Sequence, residues 1–231
     1  MVSQFSSFIQ AYKREQQILN ITKYFKQNYK VILPDLRSHG KSVSDDLANN
    51  FQDAAEDLSD TLNHLGTVSA HIVGCSLGGL ISTFFAKKHP NKVKSLTISG
   101  VTSGKPENWE EMHAADVERQ TQLLQSQEAI ALFDSMHEGD WRKLLYETRD
   151  PEWYPFEETK DLGTLTMPIL FMVGENQPDE VNTTTIYPKT NKNVHVSVIP
   201  FAGHLVHDEQ PEVYTKILEG FLNRVMEEKI I

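Results

Sequence analysis

Cysteine is almost absent. Cys75 stands alone in 231 residues, so it has no partner for an internal disulfide, and no oxidised scaffold is implied. Long apolar runs are missing too: none approaches the roughly 20 residues that a membrane-spanning helix needs. The opening segment, MVSQFSSFIQAYKREQQ, lacks a basic stretch followed by an apolar one, which argues against a secretory leader and makes the cytoplasm the expected compartment. Basic residues are outnumbered, 22 against 32 acidic ones, for a net charge of −10. That balance disfavours nucleic-acid phosphates and anionic membrane surfaces as partners. There is no repeat, no low-complexity tract, no nucleotide-type glycine loop and no cluster of metal-ligating residues, so no metal or organic cofactor is expected.

What is present is an alternation of short β-branched runs with longer polar-faced stretches, the pattern of a parallel sheet covered by helices. Five strands are predicted: 30–34 (KVILP), 70–75 (AHIVGC), 93–99 (VKSLTIS), 167–174 (MPILFMVG) and 194–200 (VHVSVIP). Helices are predicted over 13–27, 47–65, 77–89 and 209–228, the last with Val213, Ile217, Leu218, Phe221 and Leu222 on its apolar face. Residues 103–163 contain no convincing strand and read as a helical insertion, or cap, between two halves of an α/β core at 1–102 and 164–231.

Gly74-Cys75-Ser76-Leu77-Gly78 fits G-x-S-x-G, with an apolar strand before it and a helix carrying Leu80, Phe84 and Phe85 after it. A serine on such a strand-to-helix turn has strained backbone angles that lift its hydroxyl out of the sheet. Small neighbours are needed there, and Gly74 and Gly78 supply them. The N–H of Leu77, at the helix start, can donate to a developing oxyanion. The competing reading is a plain glycine-rich turn or a phosphate site. Cys75 reads as a buried small residue, because strand alternation points it away from the turn apex.

A serine hydroxyl needs a base, and histidine suits the task because it titrates near neutrality. Of nine histidines, His204 is singled out by position. It follows the last strand and an Ala202-Gly203 step and precedes the last helix, at the same sheet edge as Ser76. His207 is its rival, and His39 reads as structural or pocket-lining.

Four segments resemble the α/β-hydrolase superfamily, in the family's order and spacing: PDLRSHGKS at 34–42, VGCSLGG at 73–79, MPILFMVGEN at 167–176 and FAGHLVHDEQPE at 201–212. The resemblance runs from about residue 13 to the end. It implies an α/β-hydrolase fold, Ser76 as nucleophile, His204 as base and a helical cap over the site. It also implies an aspartate three residues after Gly174, but Gln177 stands there. Glu175, Asp179 and Glu180 are the carboxylates nearby. Asp179 is the expected acid, brought round by a two-residue slip in a loop containing Pro178, with a dyad assisted by Gln177 as the alternative. Relatives also begin with two or three strands, the last ending in His-Gly and supplying a second oxyanion donor. Here the N-terminal strands look missing, and FSSFI at 5–9 is the only candidate. A chain without them exposes a sheet edge, which would favour a homodimer.

Asp35 and Arg37 are expected to pair and pin the 34–42 loop. Trp109, Trp141, Trp153, Tyr154 and Phe156 are expected either to line an acyl pocket or to hold the cap helices together. The function expected is a serine hydrolase acting on a small, fairly apolar ester or related acyl compound. The alternative is an impaired or non-catalytic protein of the same fold that binds a ligand.

Overall fold

Six short strands form one sheet in which every neighbouring pair runs parallel. The computed structural model describes residues 21–227 in full and residues 3–8 and 228 as backbone. The strands are β1 (Ser3–Phe8), β2 (Tyr29–Ile32), β3 (Ala70–Cys75), β4 (Val93–Ser99), β5 (Ile169–Gly174) and β6 (Val194–Ile199), in spatial order β2-β1-β3-β4-β5-β6. The helices are α1, described over 21–25, then α2 (Asn50–His64) and α3 (Leu77–Lys88). Next come α4 (Trp109–Gln125), α5 (Gln127–Met136), α6 (Arg142–Glu147) and α7 (Phe156–Thr159). After β5 follow α8 (Pro178–Thr183), α9 (Tyr187–Thr190), α10 (Val206–Glu209) and α11 (Pro211–Glu228).

The middle strands are apolar on both faces because both faces are covered. Every residue of β3 and β5 is buried. Along β5, Ile169, Phe171 and Val173 join one core cluster, with Leu58 and Leu62 of α2 and Leu80 and Ile81 of α3. Leu170 and Met172 point the other way, into a cluster with Phe25, Leu218 and Leu222. This is the two-residue strand period sorting side chains between two helical layers.

The sequence reading of five strands misses β1, and the N-terminal strands are not all absent. The serine-rich segment Ser3–Phe8 enters between β2 and β3, pairing Phe5 with Val31 on one side and His71 on the other. Ladder hydrogen bonds are made by the backbone, which any residue supplies, so weak apolar patterning hid the strand. The edge of β3 is therefore filled, and the premise of a homodimer through it falls. The outer strands are β2 and β6. Ile9 of the FSSFI candidate and residues 13–20 of the helix expected over 13–27 lie outside the described residues.

Between β4 and β5 the chain forms α4 to α7 and no strand. Several polar contacts fasten this insertion to the sheet domain. The Gly40 N–H donates to His137 Nδ1 at 2.9 Å, and the Thr102 N–H donates to the Tyr154 hydroxyl at 2.9 Å. Lys143 pairs with Asp45 at 2.7 Å, and Lys87 with Glu158 at 3.0 Å. The Trp109, Tyr154 and Phe156 rings pack on one another, with centroids 4.4–5.7 Å apart, and Trp141 packs on Phe133 at 4.7 Å. These aromatics hold the insertion together. The expected Asp35–Arg37 pair is not formed. Arg37 instead bonds Asp57 through both Nε (2.7 Å) and Nη2 (3.0 Å) and reaches Asp53 at 3.3 Å. Asp35 accepts the Lys41 N–H, closing its own loop. A guanidinium fork matches a carboxylate across the helix α2 better than one two residues away.

Candidate active site

Ser76 sits between the end of β3 and the start of α3 with φ +54° and ψ −123°. That is a costly conformation for a residue with a Cβ. Neighbouring glycines let the turn close. A Cβ on Gly74 would come within 2.2 Å of the Gly78 carbonyl and 2.4 Å of Ser82 Oγ. The Ser76 N–H donates to the Ser99 carbonyl of β4 at 2.9 Å, anchoring the turn to the next strand. Helix α3 then leaves its first N–H groups, that of Leu77 among them, without an intrahelical carbonyl, at the positive end of the helix dipole.

His204 lies on the loop between β6 and α10, and its ring reaches back across the sheet edge. Nε2 is 2.8 Å from Ser76 Oγ. Nδ1 is 2.7 Å from Glu180 Oε1. A carboxylate only accepts, so Nδ1 carries the proton and Nε2 is left to accept from the serine hydroxyl. Gly100, at φ +67°, makes room: a Cβ there would stand 2.9 Å from both His204 Cε1 and Ser76 N.

The carboxylate against His204 belongs to Glu180, not to Asp179. Pro178 begins helix α8 instead of lying in a loop, with Gln177 as the N-cap residue. On a helix, consecutive side chains point about 100° apart, so Asp179 and Glu180 face different ways. Glu180 and Thr183 form the buried side of α8, and Glu180 is only 4% exposed. Its position is one helical turn beyond Gln177, and the extra methylene of glutamate lets the carboxylate reach back. Glu180 Oε2 is buried without a hydrogen-bond partner. Gln177 makes no hydrogen bond to His204. The helical signal was in the sequence: proline followed by two acidic residues is a typical first turn.

Two neighbours are chemically quiet. Burial pushes the Cys75 thiol up to about 12, so it stays protonated. Its Sγ lies 3.9 Å from the His204 carbonyl oxygen. His207 is buried against Tyr214, and burial, then the nearby His204, push it down to about 4. It is therefore neutral at pH 7, and its Nδ1 has no partner. His39 accompanies His137, ring centroids 5.6 Å apart, where the insertion meets the 34–42 loop.

A cavity of about 240 Å³ opens between the start of α2 and the insertion, and Leu77 forms part of its wall. Phe51, Leu144 and Trp153 supply further apolar surface. Glu147, Asp150 and Glu152 also line it, and among the described residues no lysine or arginine does. Of the five aromatics singled out above, Trp153 is the one in this wall.

The family model of the alpha/beta hydrolase fold matches residues 18–135, just over half of the chain. The chain belongs to the α/β-hydrolase family. Among curated relatives, 3-oxoadipate enol-lactonase 1 of Acinetobacter baylyi is 24% identical over 222 residues, spanning 87% of this chain and 81% of that one. Esterase YbfF of Escherichia coli is 26% identical over 215 residues, spanning 85% and 84%. Among solved structures, NosK from Streptomyces actuosus superposes with a TM-score of 0.81 at 22% identity, over 97% of this chain and 99% of that one. A carboxylesterase from Nitrososphaera gargenis gives a TM-score of 0.77 at 20% identity, over 98% and 92%. These two structures bear on the fold alone. Among the described residues, no helix is long and apolar enough to cross a membrane.

Proposed function

We propose that the protein is a serine hydrolase that cleaves small, fairly apolar esters or related acyl compounds through an acyl-enzyme. The observation that carries this reading is the unbroken line Ser76 Oγ, His204 Nε2, His204 Nδ1, Glu180 Oε1, with contacts of 2.8 and 2.7 Å. Ser76 Oγ attacks the substrate carbonyl carbon while His204 Nε2 takes its proton. The imidazolium that forms is stabilised by Glu180. The Leu77 N–H donates to the oxyanion. Collapse expels the alcohol, which receives the proton from His204. Water then attacks the acyl-enzyme by the same route and restores the serine.

Substrate class is inferred from the cavity beside Leu77. Apolar walls favour a hydrocarbon-like group. The three carboxylates in its lining disfavour an acyl group that carries its own negative charge. The insertion would act as the cap that sets this choice. Relatives named as esterases support the same class of reaction.

A fluorophosphonate probe tests the chemistry. Covalent labelling of the wild-type protein, lost in both Ser76→Ala and His204→Ala, is the expected result. A well-folded wild-type protein that takes no label, or a Ser76→Ala variant that still does, sinks the proposal.

A further inference from the structure

The imidazole of His204 must meet two partners at once, and it rides on the loop between β6 and α10. Phe201 sits at φ +58°, and Gly203 immediately precedes the histidine. Two contacts restrain the loop upstream: the Phe201 N–H donates to Glu175 Oε1 at 2.7 Å, and the Asn176 N–H donates to the Ala202 carbonyl at 3.0 Å. Around the histidine itself a different group takes over. Glu209 Oε2 accepts the Gly203 N–H at 2.9 Å, and Glu209 Oε1 accepts the Leu205 N–H at 3.2 Å. One carboxylate thus bridges the residues on either side of His204.

We propose that Glu209 is a positioning residue, a clasp that holds the His204 ring in line between Ser76 and Glu180. Bonds from N–H groups to an ionised carboxylate are stronger than neutral ones. Glu209 is exposed, so its charge keeps its hydration. Gly203 leaves space for the clasp, since a Cβ there would stand 3.1 and 3.3 Å from the two carboxylate oxygens. Leu205 precedes α10, so its bond to Glu209 is not part of that helix's own ladder.

This role presupposes the serine-hydrolase reading, so the wild-type protein is assayed first, with p-nitrophenyl acetate as substrate and a fluorophosphonate to count working sites. In Glu209→Ala, kcat per labelled site should fall about tenfold or more, with a smaller change in KM. Glu209→Gln keeps one acceptor oxygen and should fall between the two. It carries the test if Glu209→Ala does not fold. A merely structural glutamate would change the melting temperature or the number of labelled sites and leave turnover per site where it was. That outcome, in a wild-type protein that is active, overturns the clasp alone. A wild-type protein that takes no label overturns the serine reading and the clasp with it.

Discussion

Ser76 and His204 were legible because each is marked by its neighbours. G-x-S-x-G records a steric demand, which the contacts of a Cβ at Gly74 make explicit. His204 follows a strand and precedes a helix, so its place at the sheet edge needs only the topology. Glu180 was not legible in the same way. Choosing among three acidic residues depends on whether they lie on a loop or a helix, and then on which face of the helix turns inward. Substitution separates them: Glu180→Gln should lower kcat by about 10³–10⁴ by removing the charge that supports the imidazolium. Asp179→Asn should leave it within about twofold, as for a partly exposed residue without a special contact. Steady-state ester hydrolysis checks both, and equal losses would return Asp179 to consideration. Gly100→Ala forces a Cβ against His204 and Ser76 at positive φ. Its conformational cost alone is about 1–2 kcal/mol, read by denaturant titration, and activity should fall further than stability does.

At the level of elements, the strands with continuous apolar runs and the helices flanking them could be read directly from hydrophobic pattern. β1 could not, because its place rests on backbone pairing with β2 and β3 and not on side-chain alternation. The short helix α10 is not signalled by pattern: the helix predicted over 209–228 takes in only its last residue, Glu209, and Pro211 marks the break between α10 and α11. α10 carries the buried His207, whose depressed pKa has a consequence for stability. The folded value of about 4 lies below the ordinary value of about 6.5 expected in the unfolded chain, so below pH 6.5 the unfolded state binds more protons. His207 should therefore cost no stability above about pH 6.5, and destabilise the fold progressively as pH falls from there to about 4. Burial also lowers His39 and His137, so both act in the same direction. Melting temperature against pH reads the sum. A His207→Leu variant should show a shallower decline across that window, and an unchanged slope would contradict the assignment.

Across the whole molecule, composition and alternation predicted a parallel sheet with a helical segment between two of its strands, and this architecture is present. Long-range pairings were out of reach, because the sequence does not state which surface charge meets which. Arg37 reaches α2 instead of Asp35, and the insertion is tied down by groups far apart along the chain. Tyr154 is one such tie. Tyr154→Phe would leave the Thr102 N–H without its partner at a part-buried junction, at a cost of about 1 kcal/mol in unfolding free energy. The same change should loosen the wall of the cavity near Trp153, which packs on Tyr154 at 5.5 Å, and raise KM more than it lowers kcat. Urea titration and steady-state kinetics report the two effects separately.

The chemistry of the site comes down to whether an acyl group is ever carried on the hydroxyl at the end of β3. Protein incubated with p-nitrophenyl acetate, quenched in acid, digested and sequenced by mass spectrometry answers this directly. An acetyl group on Ser76, absent from His204→Ala, is the predicted result. Turnover of the ester with no acetyl group on Ser76, even when deacylation is slowed by Glu180→Gln, would contradict it.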